Sequence, residues 1–191
     1  MLAQSGGLFE ANRFAKLCEV SRPTITNYLK VLEATFVANI VRPFSTHRAT
    51  EIVLMPKVYG FDTGFVCCYK GWQELRPADM GILWEHFVLN EMIANLQHRD
   101  IFYWRDKRGH EVDFVLPGRR NEPVAIECKW NVDEFNPKSF KPFRGIYSQG
   151  ENYVVAANLD REFTREYDGM RVTFLSLSGL IGRLGGEMQA D

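Results

Sequence analysis

Two strand-length runs in the second half of the chain constrain its fold most. They are Glu111-Val112-Asp113-Phe114-Val115-Leu116 and Ala125-Ile126-Glu127-Cys128-Lys129. Side chains two apart on a strand face the same way. Glu111, Asp113 and Val115 therefore share one face of the first run. Glu127 and Lys129 share one face of the second, with Ile126 and Cys128 opposite. Pro117-Gly118 turns the chain between them. Pairing through 117–122 brings Asp113 beside Glu127, so any fold for this chain has to accommodate two carboxylates and an ammonium at one place on a sheet.

The surrounding pattern says what sort of sheet that is. Residues 81–97 predict a helix with Ile82, Leu89, Met92 and Leu96 in one seam. Glu85 lies in that seam. A carboxylate inside an apolar stripe costs several kcal/mol unless it is paired or metal-bound, so Glu85 is expected to face the sheet where the other acids gather. Ile101–Arg105 predicts a strand, Asp106–Gly109 a turn, and Pro123–Trp130 a strand. Residues 137–148 read as loop or as a helix opened by Pro137. Tyr153–Ala157 and Arg171–Leu177 are further strands, and Ser178–Leu184 a closing helix. Helix, three strands, helix, two strands and helix make an α/β arrangement with a mixed central sheet flanked by helices.

The first third reads differently. Residues 9–18 predict a short helix. Ser21 is a good N-cap, and Pro23 suits a first turn whose N–H groups lack partners anyway. Ile25, Leu29, Leu32 and Phe36 then follow at intervals of four, three and four, one face of a helix. Thr24, Thr26, Asn27 and Lys30 occupy the other. Helix, short turn and capped helix is the helix-turn-helix pattern. Asn39–Pro43 and Lys57–Phe61, separated by a polar loop, would add a wing. Residues 71–80 read as a linker, which divides the chain into 1–75 and 76–191.

Composition narrows the function classes. No apolar run approaches the roughly 20 residues that span a bilayer, and the opening residues carry no secretory signal. The four cysteines, Cys18, Cys67, Cys68 and Cys128, show no CxxC spacing and read as reduced thiols of a cytoplasmic protein. The net charge of −1 argues against a strongly basic nucleic-acid coat. It is unevenly spread: residues 1–75 hold 8 Lys/Arg against 6 Asp/Glu, residues 76–191 hold 15 against 18.

Two carboxylates beside an ammonium suit a hard cation. Mg²⁺ takes oxygen ligands and keeps several waters, and at a phosphodiester it polarises the phosphoryl oxygen. The bland alternative is a salt bridge on a strand surface. The chain resembles a family in which Asp, a hairpin turn and Glu-x-Lys follow a helix Glu: the PD-(D/E)XK nuclease-like group. It is similar in particular to the branch in which a winged helix precedes that domain at the C-terminus of prokaryotic AAA-type ATPases. Val20–Thr24, Leu32–Phe36, Pro56–Gly64, Trp84–Val88, Tyr103–Arg105 and Glu111–Phe114 carry the likeness over residues 5–178.

The resemblance implies Asp113, Glu127 and the Cys128 carbonyl as ligands of Mg or Mn, with Lys129 and Glu85 as catalytic groups. It implies DNA and an upstream ATPase domain as partners. Val112 departs from the Pro in the superfamily's name, and Trp130 follows the motif where small polar residues are usual. No Gly-x-x-x-x-Gly-Lys-Ser/Thr occurs, so the family's ATPase part is not in this sequence; because the opening residues already resemble the family's winged-helix lead-in, the chain reads as the part following the ATPase, a lone module being the alternative.

Candidate nucleic-acid contacts are Arg22, Thr24, Asn27 and Lys30 at a recognition helix, and Lys107 and Arg108 at the hairpin tip. A helix that contacts protein and a solvated tip are the alternatives. Phe61-Asp62-Thr63-Gly64 echoes the aspartic proteases, but its turn chemistry explains it.

Overall fold

A computed structural model describes residues 4–45, 55–96, 100–118 and 122–186. The chain divides into two compact units, Met1–Leu75 and Arg76–Asp191.

In the first unit, α1 (Ala11–Leu17) and α2 (Arg22–Ala34) precede an antiparallel sheet in the order β1 (Gly7–Leu8), β3 (Lys57–Gly60), β2 (Ala38–Pro43). Ser21 caps α2, its Oγ accepting the Thr24 N–H at 3.3 Å. Ile25 is buried with Phe9, Ala15, Ala38 and Val58, and Phe14, Leu29 and Leu32 pack around them.

Phe36 does not continue that face. The helix ends at Ala34, the Thr35 hydroxyl turns back onto the Val31 carbonyl at 2.8 Å, and Phe36 adopts φ 58 with 80% of its surface exposed. The chain has to leave the helix here to enter β2, and the Val37 N–H caps the Leu32 carbonyl at 2.9 Å. The two strands expected for a wing pair antiparallel, Ala38 with Gly60 through Val41 with Lys57; of the polar loop between them, 46–54 lies outside the described residues.

A helix that the periodicity does not announce, α3 (Thr63–Lys70), closes the unit. The Asp62 carboxylate caps it by accepting the Phe65 N–H at 2.7 Å, and Gly71 ends it at φ 66, a left-handed value that suits glycine. The stretch expected to be a linker is thus shorter than 71–80: Gly71 finishes one helix and Pro77 begins the next.

The second unit is mixed α/β. Helix α4 (Pro77–Leu96) starts where Asp79, 3% exposed, accepts the Arg76 N–H and, through both oxygens, the Arg76 guanidinium. The sheet runs β4 (Phe102–Arg105), β5 (Glu111–Leu116), β6 (Val124–Lys129), β7 (Asn152–Ala156), β9 (Met170–Leu175), β8 (Phe163–Tyr167). Neighbours from β4 to β6 are antiparallel, β6, β7 and β9 are parallel, and β8 returns antiparallel to β9.

Strand β8 was not expected. It joins β9 through Asp168 and Gly169, both at positive φ, the geometry of a two-residue hairpin turn. A short helix α5 (Phe140–Ile146) lies in the β6–β7 crossover, and α6 (Leu177–Gly186) follows β9. Helix α4 packs on β6 and α6, and α6 also packs on β7 and β9. Every residue of β7 is buried, as a strand inside a covered parallel sheet should be. Among the described residues no helix is long and apolar enough to cross a membrane.

Candidate functional site

The β5–β6 ladder pairs Leu116 with Val124, Val115 with Ala125 and Phe114 with Ile126. Beyond Phe114 a side chain takes over. The Asp113 Oδ2 accepts the Cys128 backbone N–H at 2.8 Å. On its other edge β6 stays paired with β7 as far as Lys129 and Ala156. The site end of β6 is therefore held by main chain on one side and by a carboxylate on the other.

Glu127 is 7% exposed. Its Oε1 accepts from the Lys129 ammonium at 2.8 Å, while Oε2 is buried and receives no hydrogen bond. Burial works to lower the Lys129 pKa, but the adjacent charges of Glu127 and Asp113 outweigh it, so the ammonium is held above its ordinary range. The Cys128 thiol goes well above its ordinary value. Burial is the largest cause, followed by the charges of Asp113, Glu85 and Glu127. The contacts themselves bring Asp113, Glu127 and Lys129 together at the end of β6, through the Asp113–Cys128 and Lys129–Glu127 hydrogen bonds.

Glu85 is half-buried on α4. The Cys128 thiol, buried and kept protonated, is not poised as a nucleophile.

The donor set is one a hard cation accepts: carboxylate oxygens from Asp113 and Glu127, and a main-chain carbonyl at Cys128. Among the described residues, no three His, Cys, Asp or Glu side chains form a metal-holding group. The main chain would have to contribute.

Trp130, which stands where small polar residues are usual, is 39% exposed and edge-on to Trp84, with ring centroids 6.2 Å apart. Trp84 is anchored by its Nε1, which donates to the Val155 carbonyl at 2.9 Å.

The other candidates are carried by other elements. At the β4–β5 tip, the Asp106 carboxylate accepts the main-chain N–H groups of Arg108 at 2.8 Å and His110 at 2.9 Å, and pairs with the His110 ring at 2.7 Å. Lys107 and Arg108 are exposed there. Glu111 pairs with Arg105 at 3.3 Å. On α2, Arg22, Asn27 and Lys30 are exposed, whereas Thr24 is half-buried and its hydroxyl hydrogen-bonds Ser21 Oγ at 2.8 Å.

A family model described as "Domain of unknown function (DUF4143)" matches residues 80–177, half of the chain. The chain belongs to the DUF4143 family. A second model, "Domain of unknown function (DUF8612)", matches residues 1–76. The curated relatives include uncharacterized protein Mb2031c of Mycobacterium bovis and uncharacterized protein Rv2008c of Mycobacterium tuberculosis. Each is 29% identical over 130 residues, covering 65% of this chain and 29% of the relative. The chain thus spans less than a third of the length of these relatives.

Among solved structures, this DUF4143 protein overlaps a chain in the refined half-complex from a tetradecameric assembly of Thermococcus gammatolerans McrB AAA+ hexamers with bound McrC. The TM-score is 0.38 at 11% identity, over 56% of this chain and 33% of that one.

Proposed function

We propose that residues 76–191 form a PD-(D/E)XK nuclease-like module that acts on DNA with a divalent cation, preceded by a winged helix-turn-helix and serving an AAA-type ATPase. One observation carries the reading: Asp113 on β5 accepts the Cys128 N–H at 2.8 Å and the buried Glu127 accepts from Lys129 at 2.8 Å, so two carboxylates and an ammonium meet at the end of β6. A strand-surface salt bridge needs two of these groups and leaves them in solvent, whereas Glu127 is buried.

Asp113, Glu127 and the Cys128 carbonyl would hold Mg²⁺ or Mn²⁺. Bound there, the cation would polarise a phosphoryl oxygen. Lys129, kept protonated by its neighbours, would orient the attacking water and offset the developing charge. Glu85 would assist from the helix side. In the first unit, two helices followed by an antiparallel ribbon support the winged-helix reading. Arg22, Asn27 and Lys30 stand exposed on α2 for DNA.

The test is incubation with supercoiled, linear and single-stranded DNA in Mg²⁺ and Mn²⁺. Cleavage by wild type, absent in Asp113→Asn and Lys129→Met, is the expected result. An inert wild type across all DNA forms overturns it.

A second reading, a noncatalytic module for DNA binding or ATPase assembly, is favoured by the lack of a three-side-chain metal group among the described residues. It expects DNA binding that is indifferent to Asp113→Ala but weakened by Arg22→Ala or Lys30→Ala. With DNA retention lost from neither, assembly is the remaining role.

A further inference from the structure

The ammonium of Lys129 already sits on a carboxylate that the divalent-cation reading needs. Its Nζ donates to Glu127 Oε1 at 2.8 Å, and the pair is largely buried, with side chains 25% and 9% exposed. The two residues stand two apart on β6, so strand geometry alone puts them on one face. Asp113 joins them from β5, where its Oδ2 accepts the Cys128 N–H at 2.8 Å. Two carboxylates and one ammonium leave a formal excess of negative charge. That balance attracts a cation and repels an anion.

The three groups differ in how firmly they are held. Asp113 has a short side chain, tied to the main chain where the β5–β6 ladder ends. Glu127 is 7% exposed and stands on a strand that stays paired with β7. Lys129 is the last residue of β6, and it reaches Glu127 through one nitrogen at the end of a flexible four-carbon stem. Its ammonium can therefore move without disturbing the sheet.

A cation that takes Glu127 as a ligand meets a competitor built into the chain. A divalent ion carries twice the charge of an ammonium and suits carboxylate oxygens. It must still overcome the attraction between Lys129 and Glu127. The displaced ammonium stays tethered beside the site by its own stem.

We infer that Lys129 is an internal counter-cation of this site: its ammonium neutralises Glu127 until a divalent cation takes the carboxylate, and that uptake sets the ammonium free. The inference rests on the divalent-cation reading, and adds that loading the site and releasing Lys129 are one event. Lys129 then weakens metal binding, the opposite of what a residue that helps to hold the metal would do.

The experiment measures Mn²⁺ uptake by the full chain from the electron paramagnetic resonance signal of free Mn²⁺. Lys129→Met and Lys129→Gln should bind Mn²⁺ about tenfold more tightly than wild type, because a positive charge in contact with the carboxylate has gone. Lys138→Met removes an exposed lysine that takes no part in the pair, and should stay within about twofold of wild type. Wild type supplies a second measurement, pulse acetylation with peptide mass mapping. Acetylation of Lys129 should rise severalfold when Mn²⁺ is added, while that of Lys138 stays constant. Where neither Lys129 variant folds, the acetylation result decides by itself.

Equal or weaker Mn²⁺ binding in the folded Lys129 variants overturns the inference and leaves the nuclease reading standing. So does unchanged Lys129 acetylation in a wild type that binds Mn²⁺. Tighter binding by the variants and a released lysine, in a chain that nicks no DNA, sink the nuclease reading alone. No Mn²⁺ uptake by wild type or by either variant overturns both.

Discussion

The Asp113 carboxylate accepts the backbone N–H of Cys128 at 2.8 Å, so a side chain of β5 stands in for a main-chain acceptor at the place where the β5–β6 ladder ends. Asp113→Ala would leave that buried N–H without an acceptor, at a cost of about 1–3 kcal/mol. Asp113→Asn keeps an oxygen in place and should cost less than about 1 kcal/mol. Both should abolish divalent-dependent cleavage. Urea midpoints beside nicking assays would separate the two effects. An Asn variant as unstable as the Ala variant would show that charge, not the acceptor, holds the strand end.

Lys129 and Glu127 form a largely buried pair at 2.8 Å, with side chains 25% and 9% exposed. Lys129→Met takes the ammonium away from a buried carboxylate and should destabilise by about 3 kcal/mol. Adding Glu127→Gln should recover most of that, a coupling that a double-mutant cycle measures. The pH dependence follows from the raised Lys129 pKa. A cation raised above its ordinary 10.5 contributes stability that is complete below 10.5 and lost as pH climbs through the folded value. The gap between wild type and Lys129→Met should therefore stay flat from about pH 7 to 9 and close only above the ordinary lysine value.

Cys128 gives a chemical readout of the same place. Burial and the neighbouring Asp113, Glu85 and Glu127 carboxylates hold its thiol well above the ordinary value, while Cys18 and Cys68 are exposed. Thiolate is the reactive form. A pulse of alkylating reagent near neutral pH, followed by peptide mass mapping, should label Cys18 and Cys68 and spare Cys128 until denaturant is added. Labelling of Cys128 at the rate of Cys68 would contradict the burial of the cluster.

Some of this was legible because it is local. Ser21, Pro23 and the spacing of Ile25, Leu29 and Leu32 announce α2, and period-two alternation sets Glu127 and Lys129 on one face, where they meet at 2.8 Å. Other features depend on partners far along the chain or lack a period. Helix α3 hides behind Asp62-Thr63-Gly64 and a short run without helical spacing. Strand β8, with Thr164, Arg165 and Glu166 exposed, has no apolar alternation; its only signal was Asp168-Gly169. The Asp113 bond to Cys128 was invisible, because it follows from where a ladder stops. Asp79 looked like linker polarity until Arg76 closed on it.

The register of β6 and β7 is held from outside the sheet by Arg144. Its Nε donates to Asn152 Oδ1 at 2.7 Å, one terminal nitrogen to the Tyr147 and Gln149 carbonyls, and the other to the Pro123 carbonyl at 3.0 Å and the Glu151 carbonyl at 2.7 Å. Pro123 leads into β6 and Asn152 opens β7, the parallel pair that carries Glu127 and Lys129. Burial pulls the Arg144 pKa down to about 10, which still leaves it charged at neutral pH. Lysine has a single nitrogen with three donors and cannot reach this fan of acceptors. Arg144→Lys should therefore cost about 2–3 kcal/mol, at least two carbonyls losing their donor. The loss should appear locally as well, as faster hydrogen exchange at the Ala125 N–H, which bonds the Glu151 carbonyl at 2.9 Å. A lysine variant with unchanged midpoint and unchanged exchange there would mean that the strand pairing, not Arg144, sets the register of the site.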